Sequence, residues 1–191
     1  MGFWKTKNIT MKKLVVSIVM IFCVSVSALS QKYSTKTGEI SFEASVPSFE
    51  EVKAKNSAVS AILNTETGAM AALVLMKGFR FKVALMEEHF NENYMESEKF
   101  PKATLKGSIK DFSVTSLNDS AKKFIMQSEI TIHGVTKNME IPITLQSNGE
   151  TIEIISKFVL NPDDFNISIP NIVRKKVAEN VNVSVHLQLS N

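Results

Sequence analysis

The chain has 191 residues, with 22 Lys and Arg against 19 Asp and Glu, and a formal net charge of +3 at pH 7. Four of the basic residues, Lys5, Lys7, Lys12 and Lys13, lie within the first 30 residues, which contain no acidic residue. The rest of the chain therefore carries 18 basic residues (22 minus 4) and 19 acidic ones, a net charge of −1. This balance gives no indication of a nucleic-acid partner.

The amino-terminal segment has the three parts of a secretory signal peptide. The basic residues precede an apolar run from Leu14 to Val26, and the small residues Ala28 and Ser30 follow it. The run is shorter than the roughly 20 residues that a membrane-spanning helix needs. We predict a signal peptide at residues 1–30 that begins at Met1 or Met11, is cleaved after Ser30 or Ala28, and directs a bacterial protein to the periplasm or the medium.

The predicted mature chain, residues 31–191, is long enough to form one domain with a substantial core. Cys23 is the single cysteine and lies in the apolar run of the signal. The mature domain is therefore expected to have no disulfide framework.

Apolar and polar residues alternate in one segment after another of the mature chain, which is typical of strands with one buried face. The predicted strands are residues 39–46, 57–64, 69–76, 78–85, 104–115, 122–133, 138–147, 150–160 and 180–189. Turn-forming residues such as Asn148-Gly149 separate them. Antiparallel sheets of eight or nine strands commonly close to remove their edges, so the predicted fold is an all-β antiparallel barrel.

One short helix interrupts this pattern. Met86, Phe90 and Tyr94 recur every four residues, which is the spacing of one helical face. We predict a helix over residues 87–98 whose apolar stripe forms a lid or plug over the barrel.

The run at residues 69–76, AMAALVLM, is apolar on both faces. The outer face of this strand is expected to be covered either by the helix or by a second copy of the chain. The sequence leaves both explanations open, so a homodimer is one expectation.

Alternation also predicts which side chains point into the barrel. The inward apolar residues are Phe42, Phe79, Phe81, Leu85, Met126, Ile130, Ile141, Ile143 and Phe158. Gly107 and Ser128 occupy two further inward positions, where they would leave room for a chain and offer a polar contact, or else would reflect tight strand packing. An ordinary filled core has the same pattern, so alternation alone does not separate a cavity from a core.

The sequence lacks the local motifs of common hydrolases, nucleotide-binding proteins and zinc sites. His89 is expected on an exposed helix face, His133 in a turn, and Asp163 and Asp164 in a capping role. We therefore predict no catalytic residue, no metal and no cofactor. The basic cluster Arg174–Lys176 is interpreted as a solvated turn, with contact to a phosphate headgroup or an anionic membrane surface as the alternative.

Three stretches together resemble the YceI-like family of extracytoplasmic polyisoprenoid-binding proteins. They are the strand-helix-strand stretch at residues 79–107, the hairpin ITIHGVTKNMEIPIT at residues 130–144, and the carboxy-terminal part from FVLNPDDFNISIP to VNVSVHLQL. The resemblance implies an extended, lipocalin-like, eight-stranded antiparallel barrel whose interior holds an isoprenoid or other fatty chain without acting on it chemically. A structural module that uses residues 69–76 to contact a partner is the alternative function.

The chain departs from the family pattern in two places. Family members tend to begin the domain with a tryptophan, an aspartate and a His-Ser pair, whereas residues 33–39 here read YSTKTGE. An Arg-Asp pair commonly precedes the helix, where this chain has LMEE at residues 85–88. These differences affect the expected ligand more than the expected fold.

Overall fold

The computed structural model describes residues 32–191, so the predicted signal peptide lies outside the described residues. The strands are β1 (Lys32–Ser45), β2 (Lys53–Asn64), β3 (Ala69–Leu75), β4 (Arg80–Phe81), β5 (Lys102–Ile109), β6 (Lys122–Ile132), β7 (Val135–Ser147), β8 (Thr151–Leu160) and β9 (Val177–Ser190). The helices are α1 (Ala84–His89), which continues as a π turn (Phe90–Tyr94), and α2 (Asn171–Arg174). Short 3-10 turns lie at Met76–Gly78, Val114–Ser116 and Pro162–Phe165.

Eight of the strands form a closed antiparallel barrel. They pair in the order β1-β9-β8-β7-β6-β5-β3-β2, and β2 pairs again with β1. The two-residue strand β4 adds to β2 through Ala54↔Phe81 and Lys55↔Arg80. This confirms the predicted lipocalin-like barrel with one short helix, since closure gives every long strand two neighbours.

The two ends of the barrel differ in their connections. Because neighbouring strands are antiparallel, the connections 65–68, 110–121 and 148–150 share one end, which we call the closed end. Connections 46–52, 76–101 and 161–176 lie at the opposite, open end, together with the two-residue hairpin 133–134. Four side chains in the half near the closed end are fully buried, namely Leu63, Leu145, Ile152 and Leu189. That half is a filled core.

Strand β1 begins seven residues earlier than predicted, at Lys32 rather than at residue 39. The register of β1 against β2 shifts on both sides of Gly38, which marks an irregularity in the strand. A Cβ on Gly38 would lie 2.4 Å from Leu187 Cδ2, so the strands approach closely there. Long-range pairing therefore extends a strand through a segment that lacks apolar alternation.

The prediction of a strand over residues 78–85 is wrong. Only Arg80–Phe81 pairs as a strand, and α1 begins at Ala84. The Glu87 carboxylate accepts hydrogen bonds from the Arg80 guanidinium (3.0 Å) and the Phe81 N–H (3.2 Å), which turns the chain out of the sheet. Leu85 therefore lies on the outer side of the helix and is 57% exposed, instead of pointing into the barrel.

The helix ends differently from the prediction as well. The Asn91 amide donates to the Glu87 carbonyl (2.8 Å), and the Met95 N–H reaches back five residues to the Phe90 carbonyl (2.8 Å). This wide turn ends at Glu96, whose φ is 43°. Such π turns commonly occur at functional positions in helices.

The helix does not cover the outer face of β3. Its apolar stripe turns into the barrel, as described below, while Leu75 and Ile62 remain exposed on the outer surface of β3 and β2. Of the two explanations offered for the apolar run, the intramolecular one is therefore wrong.

Pro142 has no backbone N–H to donate, and the pairing of β7 with β8 ends beside it. Pairing between β7 and β8 extends from Ile143↔Ser156 to Ser147↔Ile152, so it stops directly beside Pro142. The Pro142 carbonyl instead accepts a hydrogen bond from the Ser156 hydroxyl (2.7 Å). Beyond this point β8 pairs with β9 alone, and the turn Pro162–Phe165 packs against β7.

Among residues 32–191, no helix is both long enough and apolar enough to span a bilayer.

Candidate ligand site

The half of the barrel near the open end contains a cavity of about 560 Å³. Ligand pockets in proteins typically have volumes of about 300–1,000 Å³. The strand residues that line it include Ile40, Phe42, Met70, Ala72, Val74, Ala103, Leu105, Met126, Ile130, Ile132, Ile141, Ile143, Ile154, Phe158, Leu160, Val181, Val183 and Val185. These are the inward residues of successive strands, so the period-two pattern produces an apolar wall.

Eight of the predicted interior residues line this cavity, and three do not. Those that line it are Phe42, Phe79, Phe81, Met126, Ile130, Ile141, Ile143 and Phe158. Leu85, Gly107 and Ser128 are absent from the lining. The inward residues of β3 and β9 also line the cavity, but they were not among the predicted interior residues. For β9, the alternation of apolar and polar residues along 181–189 could have identified them.

Gly107 and Ser128 lie where β5 and β6 pack closely together. A Cβ on Gly107 would be 2.3 Å from the Gln127 carbonyl oxygen, so this position accommodates a close backbone approach. The Ser128 hydroxyl donates to the Met139 carbonyl at 2.9 Å. Tight strand packing, the alternative to ligand contact, therefore explains both residues.

Four phenylalanine rings join the helix to the barrel. Phe90 stacks on Phe42 with 5.4 Å between ring centroids, and it contacts Phe79 at 5.6 Å and Phe81 at 5.1 Å. Aromatic pairs at these separations contribute about 0.5–1.5 kcal/mol beyond their buried area. All four rings line the cavity, so the cluster forms part of its wall.

The predicted lid residues Met86, Phe90 and Tyr94 all line the cavity. Their four-residue spacing continues from α1 into the π turn, which keeps the three side chains on one side. We use the name lid for residues 84–98. The lid is also tied to the 3-10 turn at Met76–Gly78 by the ion pair between Lys77 and Glu98.

His133 connects the lid to the segment that follows β8. Its Nδ1 donates to the Phe165 carbonyl (3.2 Å), and its Nε2 lies 2.8 Å from Glu96 Oε2. The Phe100 ring packs on the imidazole at a centroid distance of 4.4 Å. His133 does lie in the predicted turn, but its side chain makes contacts across the open end that the turn alone did not indicate.

The segment from Pro162 to Ile169 forms another part of the cavity wall. Pro162, Phe165, Ile167 and Ile169 line it, and Phe165 is almost fully buried. The Asn161 side chain accepts the Asp163 N–H (3.0 Å), and Asn166 adopts a left-handed conformation with φ 56°. Alternation could not reveal these residues, because they lie in a turn whose buried ring is determined by contacts across the barrel.

Polar side chains are few in the cavity lining. Ser156 lies in the wall, but its hydroxyl is bonded to the Pro142 carbonyl. Glu50, His89 and Lys176 lie on connections at the open end. The polar groups that a ligand headgroup would meet are therefore concentrated at the mouth of the cavity.

Charged groups elsewhere are arranged on the outside. The Lys55 ammonium, bonded to Glu39 at 2.6 Å, lowers the pKa of that exposed carboxyl from its ordinary value. His186 faces solvent and lies 2.6 Å from Glu153 Oε1. Within residues 32–191, no group of three or more His, Cys, Asp or Glu side chains is placed to hold a metal ion.

A closed eight-stranded antiparallel barrel with a lidded apolar cavity belongs to the lipocalin-like class of folds. The chain belongs to the YceI-like domain family, whose family model matches residues 29–189. This agrees with the resemblance seen in the sequence.

Solved structures of low sequence identity share the fold. A polyisoprenoid binding domain from Saccharophagus degradans is 12% identical, with coverage of 84% of this chain and 98% of that chain and a TM-score of 0.73. Burkholderia cenocepacia BcnA is 15% identical, with coverage of 80% and 96% and a TM-score of 0.65. The Campylobacter jejuni YCEI protein is 13% identical, with coverage of 76% and 88% and a TM-score of 0.61. No curated protein sequence matches the chain.

Proposed function

We propose that the chain is a non-catalytic binding protein that holds a long isoprenoid or other fatty chain inside the barrel, in the periplasm or the medium. The observation that carries this proposal is the apolar cavity of about 560 Å³ beneath the lid. The predicted signal peptide supports the location outside the cytoplasm.

The energetics of such binding need no reactive group. Each buried methylene contributes about 0.8 kcal/mol, so a chain of several isoprene units gains enough to stay bound in an apolar cavity. The structural relative from Saccharophagus degradans is described as a polyisoprenoid binding domain, which supports the same ligand class here. The few polar groups at the mouth suit a headgroup near solvent.

Purified mature protein that has never been unfolded is expected to carry lipid. Native mass spectrometry should show a species heavier than the polypeptide, and extraction with organic solvent should return it to the polypeptide mass. The extract should contain a chain-like lipid. A protein that has the polypeptide mass both after purification and after incubation with a polyprenol or a long fatty acid would contradict the proposal.

The second candidate function is contact with another copy of the chain through the outer face of β3. Leu75 is 56% exposed there, and Ile62 is exposed on the adjacent strand. If this face is a dimer interface, the protein should elute as a dimer, and Leu75→Asp should convert it to a monomer. Ile125→Asp is the matched control, because Ile125 is exposed on the outer surface of β6. A wild-type monomer at high concentration would eliminate this candidate.

A further inference from the structure

Each of the three long connections at the open end exposes one large apolar side chain. Phe49 on 46–52 is 47% exposed, Leu85 on 76–101 is 57% exposed, and Ile172 on 161–176 is 85% exposed. A single exposed apolar residue is ordinary on a protein surface. Three of them on three separate connections around one opening form a pattern that requires an explanation.

These side chains lie around the mouth of the cavity. Phe49 itself lines the cavity, Met86 beside Leu85 lines it, and Val173 beside Ile172 lines it. The pairing Ser45↔Val177 places connection 46–52 next to connection 161–176. Phe49 is therefore part of the interior surface, and Leu85 and Ile172 are each adjacent in sequence to a residue that lines it.

Basic residues accompany the most exposed of these side chains. Arg174, Lys175 and Lys176 directly follow Ile172 and Val173, and Lys176 lines the cavity. Arg174 Nη1 lies 3.9 Å from Asp163 Oδ2, whereas Lys175 and Lys176 form no ion pair with any of the described residues. Lysines next to an apolar side chain are typical of surfaces that contact anionic lipid headgroups.

Acidic residues offset this charge. Glu50 and Glu51 lie on the neighbouring connection and are exposed. Connections 46–52, 76–101 and 161–176 together contain seven Lys and Arg and nine Asp and Glu, a net charge of −2 (seven minus nine), so the excess of positive charge is confined to Arg174–Lys176. Apolar insertion is therefore expected to supply most of the affinity, and the free lysines the preference for an anionic surface.

We propose that the open end docks on an anionic lipid bilayer, with Ile172, Phe49 and Leu85 entering the headgroup region and Lys175 and Lys176 contacting lipid phosphates. The proposal deepens the proposed function and rests on it, because docking would place the mouth of the cavity against the source of the lipid. A chain that passed directly from bilayer to cavity would avoid the cost of exposing each methylene to water. Separate side chains on three connections, rather than one continuous apolar face, favour a fluid bilayer over a protein partner.

The test is sedimentation of the mature protein with vesicles of phosphatidylcholine alone and with about one-third phosphatidylglycerol. Wild-type protein is expected to bind the anionic vesicles more tightly. Ile172→Asp should weaken this binding about tenfold, since an inserted isoleucine would be replaced by a charge. Lys175→Gln and Lys176→Gln should weaken it about fivefold each on anionic vesicles and little on phosphatidylcholine.

Val114→Asp and Lys110→Gln are the matched controls, because both residues are exposed at the closed end. They should bind vesicles like the wild type. Equal vesicle binding by Ile172→Asp and wild type, or no vesicle binding by the wild type, would overturn the docking proposal.

A separate measurement, loading of a polyprenol from detergent micelles, tests the cavity without any bilayer. Protein that loads the polyprenol but ignores vesicles would refute docking and leave the carrier function intact. Protein that binds vesicles through Ile172 but never retains the polyprenol would support docking and refute the carrier function.

Discussion

Replacing Ala72 with tryptophan is expected to remove the bound lipid while leaving the barrel folded. Ala72 lies on β3, lines the cavity and has one of the smallest side chains in its wall. An indole buries about 150–250 Å² and would occupy space that the lipid chain requires. The lipid recovered per protein should fall at least tenfold, measured by native mass spectrometry and extraction.

Stability separates this effect from unfolding. A side chain that fills an empty apolar space gains van der Waals contacts, so Ala72→Trp should unfold at the same temperature as the lipid-free wild type or higher. The control is Ala71→Trp, one residue earlier on the opposite face of β3, and it should retain lipid. If Ala72→Trp folds and still holds as much lipid as the wild type, the cavity is not the binding site.

Most of the fold could be predicted from the sequence because each barrel strand has one buried face. The alternation Val181, Val183, Val185, Leu187 and Leu189 specifies the inward side of β9 without any tertiary information. The segment at 78–85 shows the limit of this reasoning. Its alternation continues to Leu85. The Glu87 carboxylate, however, accepts hydrogen bonds from Arg80 and Phe81, and these bonds change the direction of the chain. A pattern of alternating apolar residues cannot predict such contacts.

The cavity was harder to predict from the sequence than the fold, for a different physical reason. Inward apolar residues look the same whether they meet at the barrel axis or surround empty space. The difference here depends on small inward side chains such as Ala72 and Ala103, and on Phe165 entering the wall from a turn. The volume of the cavity depends on side chains from distant parts of the chain, and the periodicity of one segment contains no information about them.

His133 illustrates the same limit, since its partners Glu96 and Phe165 lie 37 and 32 residues away. His133→Ala is expected to lower the free energy of unfolding by about 3 kcal/mol, because it leaves the Phe165 carbonyl without a donor and removes the ring that packs on Phe100. Denaturant unfolding measures this change.

The second expected consequence of His133→Ala concerns the ligand. His133 holds Glu96 of the lid and Phe165 of the cavity wall together, so its loss should let lipid leave several times faster, measured by transfer of a fluorescent fatty acid to empty vesicles.

His186→Ala is a closely matched control, because it removes another His–Glu contact, this time from the outside of the barrel. The His186 side chain is 51% exposed, whereas that of His133 is 10% exposed. An exposed pair contributes about 0–1 kcal/mol, so this variant should keep its stability and its rate of lipid transfer. If the two alanine variants release lipid equally slowly, the lid does not depend on His133, and the Phe42, Phe79, Phe81 and Phe90 cluster alone holds it in place.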